Sequence, residues 1–131
     1  LLAAAAYVRR GALVADIGCD HGKLAVYLAR TGAARRVVAA DIRPAPLARA
    51  RALVEKHRCG AAVECRLGDG LHVLSPDEAD DIVIAGVSGV TAAEMLATAV
   101  LAGGQAVHFC AGHQARRAAR LAVEKWLFAF G

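Results

Sequence analysis

The residues able to do chemistry in this chain sit in short runs bounded by glycine. The first is Asp16-Ile17-Gly18-Cys19-Asp20-His21-Gly22. Its glycines suit a tight turn and a close approach of backbone to a ligand. A dinucleotide turn, G-x-G-x-x-G, needs its second glycine so that backbone can meet a pyrophosphate. Here that place is taken by Asp20, whose carboxylate repels a diphosphate and attracts a cation. S-adenosyl-L-methionine carries an ammonium and a sulfonium but no phosphate, so this turn favours it over a nicotinamide dinucleotide. The competing reading is structural: Gly18 and Gly22 make the turn, and Asp20 caps the helix that follows.

Two more carboxylates extend the pattern. Asp41 stands 23 residues after Gly18, where a carboxylate can accept from both hydroxyls of a ribose. The competing reading is a cap for a helix beginning near Pro44. Asp69, within Gly68-Asp69-Gly70, could accept from an adenine amine, and a plain Asp-Gly turn explains it nearly as well. A fourth run, Gly86-Val87-Ser88-Gly89, follows the apolar segment Ile82 to Ala85. The four cysteines, Cys19, Cys59, Cys65 and Cys110, include no C-x-x-C pair, and no two histidines lie three or four apart. No metal site is expected, and reduced, mostly buried thiols point to the cytoplasm.

Something must hold these runs at one place. Leu13–Ile17, Val37–Asp41, Ala62–Arg66, Ile82–Ala85 and Ala106–Cys110 read as five short strands. Helical stretches lie between them: His21–Arg30, Pro44–Arg58, Thr91–Leu101 and His113–Phe130, with only a short helical turn between Leu67 and Asp80. Pro44 suits a first helical turn, and glycines follow the helix ends. Alternating strands and helices predict an α/β fold, a doubly wound parallel sheet in the order 3-2-1-4-5. In such sheets ligands bind beyond the carboxyl ends of the strands. All four glycine or carboxylate runs fall at those ends.

The chain has 131 residues, 57% of them hydrophobic, which suffices for one core and excludes a disordered chain. A single domain over residues 1–131 is expected. The first residue is Leu1 rather than Met, which suggests a fragment, and Leu1 to Val8 lacks the basic leader of a signal peptide. Between Ile82 and Gly112 the only formal charge is Glu94, so a hydropathy window flags a membrane span. Yet Gly86, Gly89, Gly103 and Gly104 cut that stretch into short pieces, and Thr91-Ala92-Ala93-Glu94 has the capping-box pattern of a helix start. A strand, a turn, a capped helix and a second strand fit it better, and no membrane is expected as a partner. The net charge of +4 permits an anionic partner without demanding one.

Three segments together resemble the bacterial tRNA adenine-N1 methyltransferase family that acts on adenine 22. They are Val14 to Gly22 (VADIGCDHG), Arg66 to Leu71 (RLGDGL) and Glu78 to Gly86 (EADDIVIAG). The resemblance covers essentially the whole chain. It implies a Rossmann-like class I methyltransferase core using S-adenosyl-L-methionine, with tRNA as the partner. By the same resemblance Gly18, Asp20, His21 and Gly22 line the methionine end of the cofactor, and Asp16 belongs to the same cofactor site. Asp41 takes the ribose and Asp69 the adenine, and Ile42, Gly70 and Ala85 complete the cofactor-binding set. Gly86, Val87, Ser88 and Gly89 would face the acceptor base. Asp20 and His21 are the candidate catalytic residues, orienting the adenine amine or stabilising the cationic product.

The chain departs from the family in two places. The family has A-G-M-G-G after strand 4, where this chain reads Ala85-Gly86-Val87-Ser88-Gly89. The family also continues with two more strands and a helical extension, so a C-terminally truncated domain is expected, with strand 5 as an edge open to self-association. These departures motivate the alternative of a cofactor-binding module that has lost catalysis. The arginines at 9, 10, 35, 36, 116, 117 and 120 are scattered and lack interleaved aromatics, so RNA binding rests on the resemblance.

Overall fold

The computed structural model describes residues 5–6, 8–75, 78–85 and, by backbone, 106–110. Five strands form one sheet: β1 (Ala12–Ile17), β2 (Ala34–Asp41), β3 (Val63–Leu67), β4 (Asp81–Ala85) and β5 (Ala106–Cys110). Their order is β3-β2-β1-β4-β5, and every neighbouring pair is parallel. This is the doubly wound order expected from the sequence. Helix α1 (Lys23–Thr31) joins β1 to β2, α2 (Pro44–Lys56) joins β2 to β3, and a 3-10 turn (Gly70–Val73) follows β3. The expected helices Thr91–Leu101 and His113–Phe130 lie outside the described residues.

The near-continuous apolar runs of the central strands follow from burial on both faces. Every residue of β1 is buried. Because side chains alternate along a strand, Val14, Val37, Ala39, Val63 and Val83 pack with Leu24, Leu28, Leu47, Ala50 and Val54 of the two helices. Leu13, Ala15, Ile17, Val38, Ala40, Ile82 and Ile84 supply the other face, against Ala79 and the Leu71–Leu74 segment. In α2, the buried residues Leu47, Ala50 and Val54 are three and four apart, the spacing of one helical stripe.

The element ends differ from the sequence expectation for local reasons. Asp20 and Gly22 adopt left-handed φ values of 51° and 74°, which a helix cannot extend through, so α1 starts at Lys23 rather than at His21. Arg58 is also left-handed, at φ 53°, and α2 stops at Lys56. Strand β2 begins three residues early, at Ala34, with the exposed Arg35 and Arg36 hiding that start from an apolar-run reading.

Two ionic clusters brace the sheet. At its amino edge the buried Asp81 accepts from the Arg9 backbone N–H and from Arg9 Nε, both at 2.8 Å. Beside β3, Arg66 donates from Nε to Glu64 (2.9 Å), from Nη1 and Nη2 to the two oxygens of Glu78 (2.7 and 2.8 Å), and from Nη1 to the Val73 carbonyl (2.9 Å). That bidentate pair and the Ser75 N–H hold Glu78 down at about 2, well below the ordinary carboxylate range. It pins the connection between β3 and β4.

Candidate functional site

Register brings the candidate residues to one edge. Ile17 lies beside Ala40 on one side and Ile84 on the other, and Asp41 lies beside Leu67. The segments after β1, β2 and β3 therefore leave the sheet as neighbours. Ala85 ends β4 one residue beyond the Ile17–Ile84 pair. Gly86, Val87, Ser88 and Gly89 lie outside the described residues.

The turn after β1 folds across the end of β2. The N–H groups of Gly18 and Cys19 both donate to the Ala40 carbonyl at 2.8 Å, and Gly22 N–H donates to the Cys19 carbonyl at 2.9 Å. Gly18, Asp20 and Gly22 all have positive φ. At Gly22 a side chain would also collide: an added Cβ would stand 2.8 Å from the Ala50 Cβ of α2. This glycine is required by helix packing as well as by backbone conformation.

Asp41, only 3% exposed, organises the edge. Its Oδ2 accepts the Asp20 N–H (3.1 Å), while Oδ1 accepts the Arg43 N–H (2.9 Å) and Nε (3.3 Å). Its backbone carbonyl accepts the Gly68 N–H at 3.1 Å. Burial pushes this carboxyl up, but the three hydrogen bonds and the Arg43 charge outweigh it and hold Asp41 below the ordinary range. It is thus an ionised carboxylate, and its lone pairs exceed the three donors it already serves. Neither capping alternative survives as drawn: α1 is entered through Gly22 and α2 through Arg43, and neither has a side-chain cap bond.

Asp16 is different. It is 2% exposed, and its Oδ2 has no hydrogen-bond partner. Burial, then the charge of Asp41, pushes its carboxyl up to about 7. The same surroundings push the Cys19 thiol up to about 12, so it is no nucleophile at neutral pH. Above these buried groups, Asp20 Oδ2 lies 3.2 Å from His21 Nδ1, and Asp20 Oδ1 lies 3.7 Å from Arg43. His21 Nε2 lies 3.1 Å from Arg49 Nη1 of α2.

Asp69 is exposed just before the 3-10 turn, and Gly70 has a φ of 54°. Two large apolar side chains stand in solvent at the same edge: Ile42, 59% exposed, and Leu67, 53% exposed. Sequence reasoning singled out Ile42 but missed Leu67, Arg43 and Arg49. Leu67 was legible as an apolar residue directly preceding Gly68-Asp69-Gly70; Arg49 left no local signal.

The donor set fits S-adenosylmethionine. Asp20 and the ionised Asp41 set carboxylates around the turn, which suits a sulfonium and an ammonium, and the buried Asp16 beneath them has an oxygen without a partner. Ile42 and Leu67 offer apolar surface of the kind an adenine ring covers. Among the described residues no group of three His, Cys, Asp or Glu side chains could hold a metal, and no helix is long and apolar enough to cross a membrane.

Comparison with known proteins gives a consistent result. The methyltransferase domain family matches residues 1–125. The tRNA (adenine(22)-N(1))-methyltransferase of Bacillus subtilis is 39% identical over 92 residues, 70% of this chain. This chain spans 39% of that relative's length. The crystal structure of the B. subtilis m1A22 tRNA methyltransferase TrmK superposes with a TM-score of 0.80 at 29% identity, over 98% of this chain and 53% of that one. M. capricolum TrmK, solved with its natural cofactor product S-adenosyl-homocysteine, gives a TM-score of 0.72 at 26% identity, over 84% of this chain and 49% of that one.

Proposed function

Since the chain belongs to the methyltransferase domain family, we propose that it is the cofactor-binding core of an enzyme that methylates N1 of adenine 22 in bacterial tRNA. The observation that carries this reading is the turn from Gly18 to Gly22, tied to the buried Asp41 and carrying Asp20 where a pyrophosphate binder needs glycine. The likeness to the B. subtilis enzyme supports the choice of substrate.

S-adenosyl-L-methionine supplies, when bound, an electrophilic methyl group on a sulfonium. Gly18, Asp20, His21 and Gly22 hold its methionine end, with Asp16 beneath the turn. Asp41 and Ile42 take the ribose and one face of the adenine. Asp69 and Gly70 take the adenine edge, Leu67 adds apolar surface, and Ala85 borders the cofactor at the end of β4. By the family resemblance, Gly86 to Gly89 would meet the acceptor. Adenine N1 has an in-plane lone pair, so no strong base is required. The protein's work is to extrude the base, hold it in line and exclude water. Asp20, exposed above the turn, accepts from the acceptor's amine and offsets positive charge that develops on the ring. With tRNA as partner, the reaction belongs in the cytoplasm.

The test is methylation of unmodified bacterial tRNA by the intact protein, with the product mapped by nuclease digestion and mass spectrometry. Methyl transfer to N1 at adenine 22, abolished by a guanine at that position, is expected. Cofactor binding without transfer to any tRNA would refute the substrate, and no cofactor binding would refute the site.

A further inference from the structure

The contacts around His21 fix more than its position. A guanidinium has donors only, so at 3.1 Å from Arg49 Nη1 the His21 Nε2 must present its lone pair. The ring proton of the neutral imidazole is then on Nδ1, which lies 3.2 Å from the carboxylate Oδ2 of Asp20, a charge contact rather than an aligned hydrogen bond. The opposite tautomer would set N–H against N–H at Arg49 and lone pair against carboxylate at Asp20. The Arg49 contact sets the choice, and the negative charge of Asp20 beside Nδ1 favours the same form. The Nε2 lone pair is thereby engaged by Arg49, and Asp20, exposed beside the ring, keeps capacity for an outside donor. Its other oxygen lies 3.7 Å from Arg43, beyond a hydrogen bond.

We propose that Arg49, on helix α2 and remote in sequence from the turn, is a positioning residue that holds His21 in its Nδ1–H tautomer and thereby orients the Asp20 carboxylate toward the acceptor. The final clause rests on the proposed function; the tautomer does not. Arg49 is exposed on the second turn of its helix, and no core contact explains its place beside His21. His21 accordingly acts through Asp20 rather than as an independent acid or base.

Long-range proton–nitrogen NMR correlation distinguishes the two imidazole tautomers, with His21→Asn identifying the signal. In the intact protein the neutral His21 ring is expected to carry its proton on Nδ1. Arg49→Met should shift it toward the Nε2–H form, and Arg49→Lys, which keeps a donor, should restore the native form. Single-turnover methylation of tRNA should fall roughly tenfold or more in Arg49→Met, the scale of a misaligned catalytic group, and recover in Arg49→Lys. A proton on Nε2 in the wild type, or a tautomer unmoved by Arg49→Met, overturns the inference. A rate unchanged while the tautomer shifts overturns the orienting role of Arg49 toward Asp20. If the tautomer responds as expected in a protein that methylates no tRNA, Arg49 still sets the ring and the proposed substrate is what fails.

Discussion

Replacing Asp16 by Asn should change how stability depends on pH. The carboxyl, 2% exposed and with one unpartnered oxygen, is pushed from 3.8 up to about 7 by burial and by Asp41. The folded chain therefore holds this proton over a range in which the unfolded chain has released it. More protons bound in the native state means that stability falls as pH rises between those two values, and levels off above about 7. At about 1.36 kcal/mol per pH unit, the fall from about pH 5 to about pH 8 is on the order of 3 kcal/mol, a large share of a small domain's stability. Asparagine has the same shape and never ionises, so the fall should vanish in Asp16→Asn. Urea denaturation of both proteins at several pH values gives the answer as a difference curve, in which contributions from other groups largely cancel. A difference that stays flat across this window would refute the reasoning. So would one that changes with the opposite sign.

Other consequences can be measured as directly. Asp41→Ala should weaken S-adenosylhomocysteine binding by about 1.5 to 3 kcal/mol, the scale of hydrogen bonds to a charged group; unchanged affinity by calorimetry would remove Asp41 from the site. Gly22→Ala should destabilise the fold by about 1 to 3 kcal/mol, through its left-handed φ and the Cβ contact at 2.8 Å, and adding Ala50→Gly should recover only the contact part in thermal melts. Val87→Met combined with Ser88→Gly should raise turnover on tRNA with little change in cofactor affinity; equal turnover would show that this loop does not limit the rate.

Strand order and the placing of the glycine runs could be read from the sequence because both are local signals joined by a general rule. An apolar run ending at Ile17 or Asp41 marks a buried parallel strand, and parallel strands put their following loops on one edge. Other features came from contacts between elements. Arg49 meets His21 across 28 residues, through the phase at which α2 leaves Arg43, and no spacing within either segment announces it. Leu67 stands in solvent because β3 ends there and Gly68 turns away to meet Asp41. The burial of Asp16 likewise depends on the pairing of β1 with both β2 and β4. Residue type alone suggests caps at Asp20 and Asp41, yet left-handed backbone at Asp20 and Gly22 moves the start of α1 beyond Asp20, while Asp41 bonds the Arg43 N–H just before α2 rather than an amide inside it.

The bonds converging on Asp41 also have a dynamic meaning. Its carboxylate holds the Asp20 and Arg43 amides, and its carbonyl holds the Gly68 amide. Three loops that diverge in sequence therefore share one fulcrum. Opening any one of them strains the bonds that order the other two, so their backbone amides should gain and lose protection from hydrogen exchange together. A ligand that settles on one loop would quiet all three, while a disturbance at Asp41 would loosen the whole edge and leave the strands behind it intact.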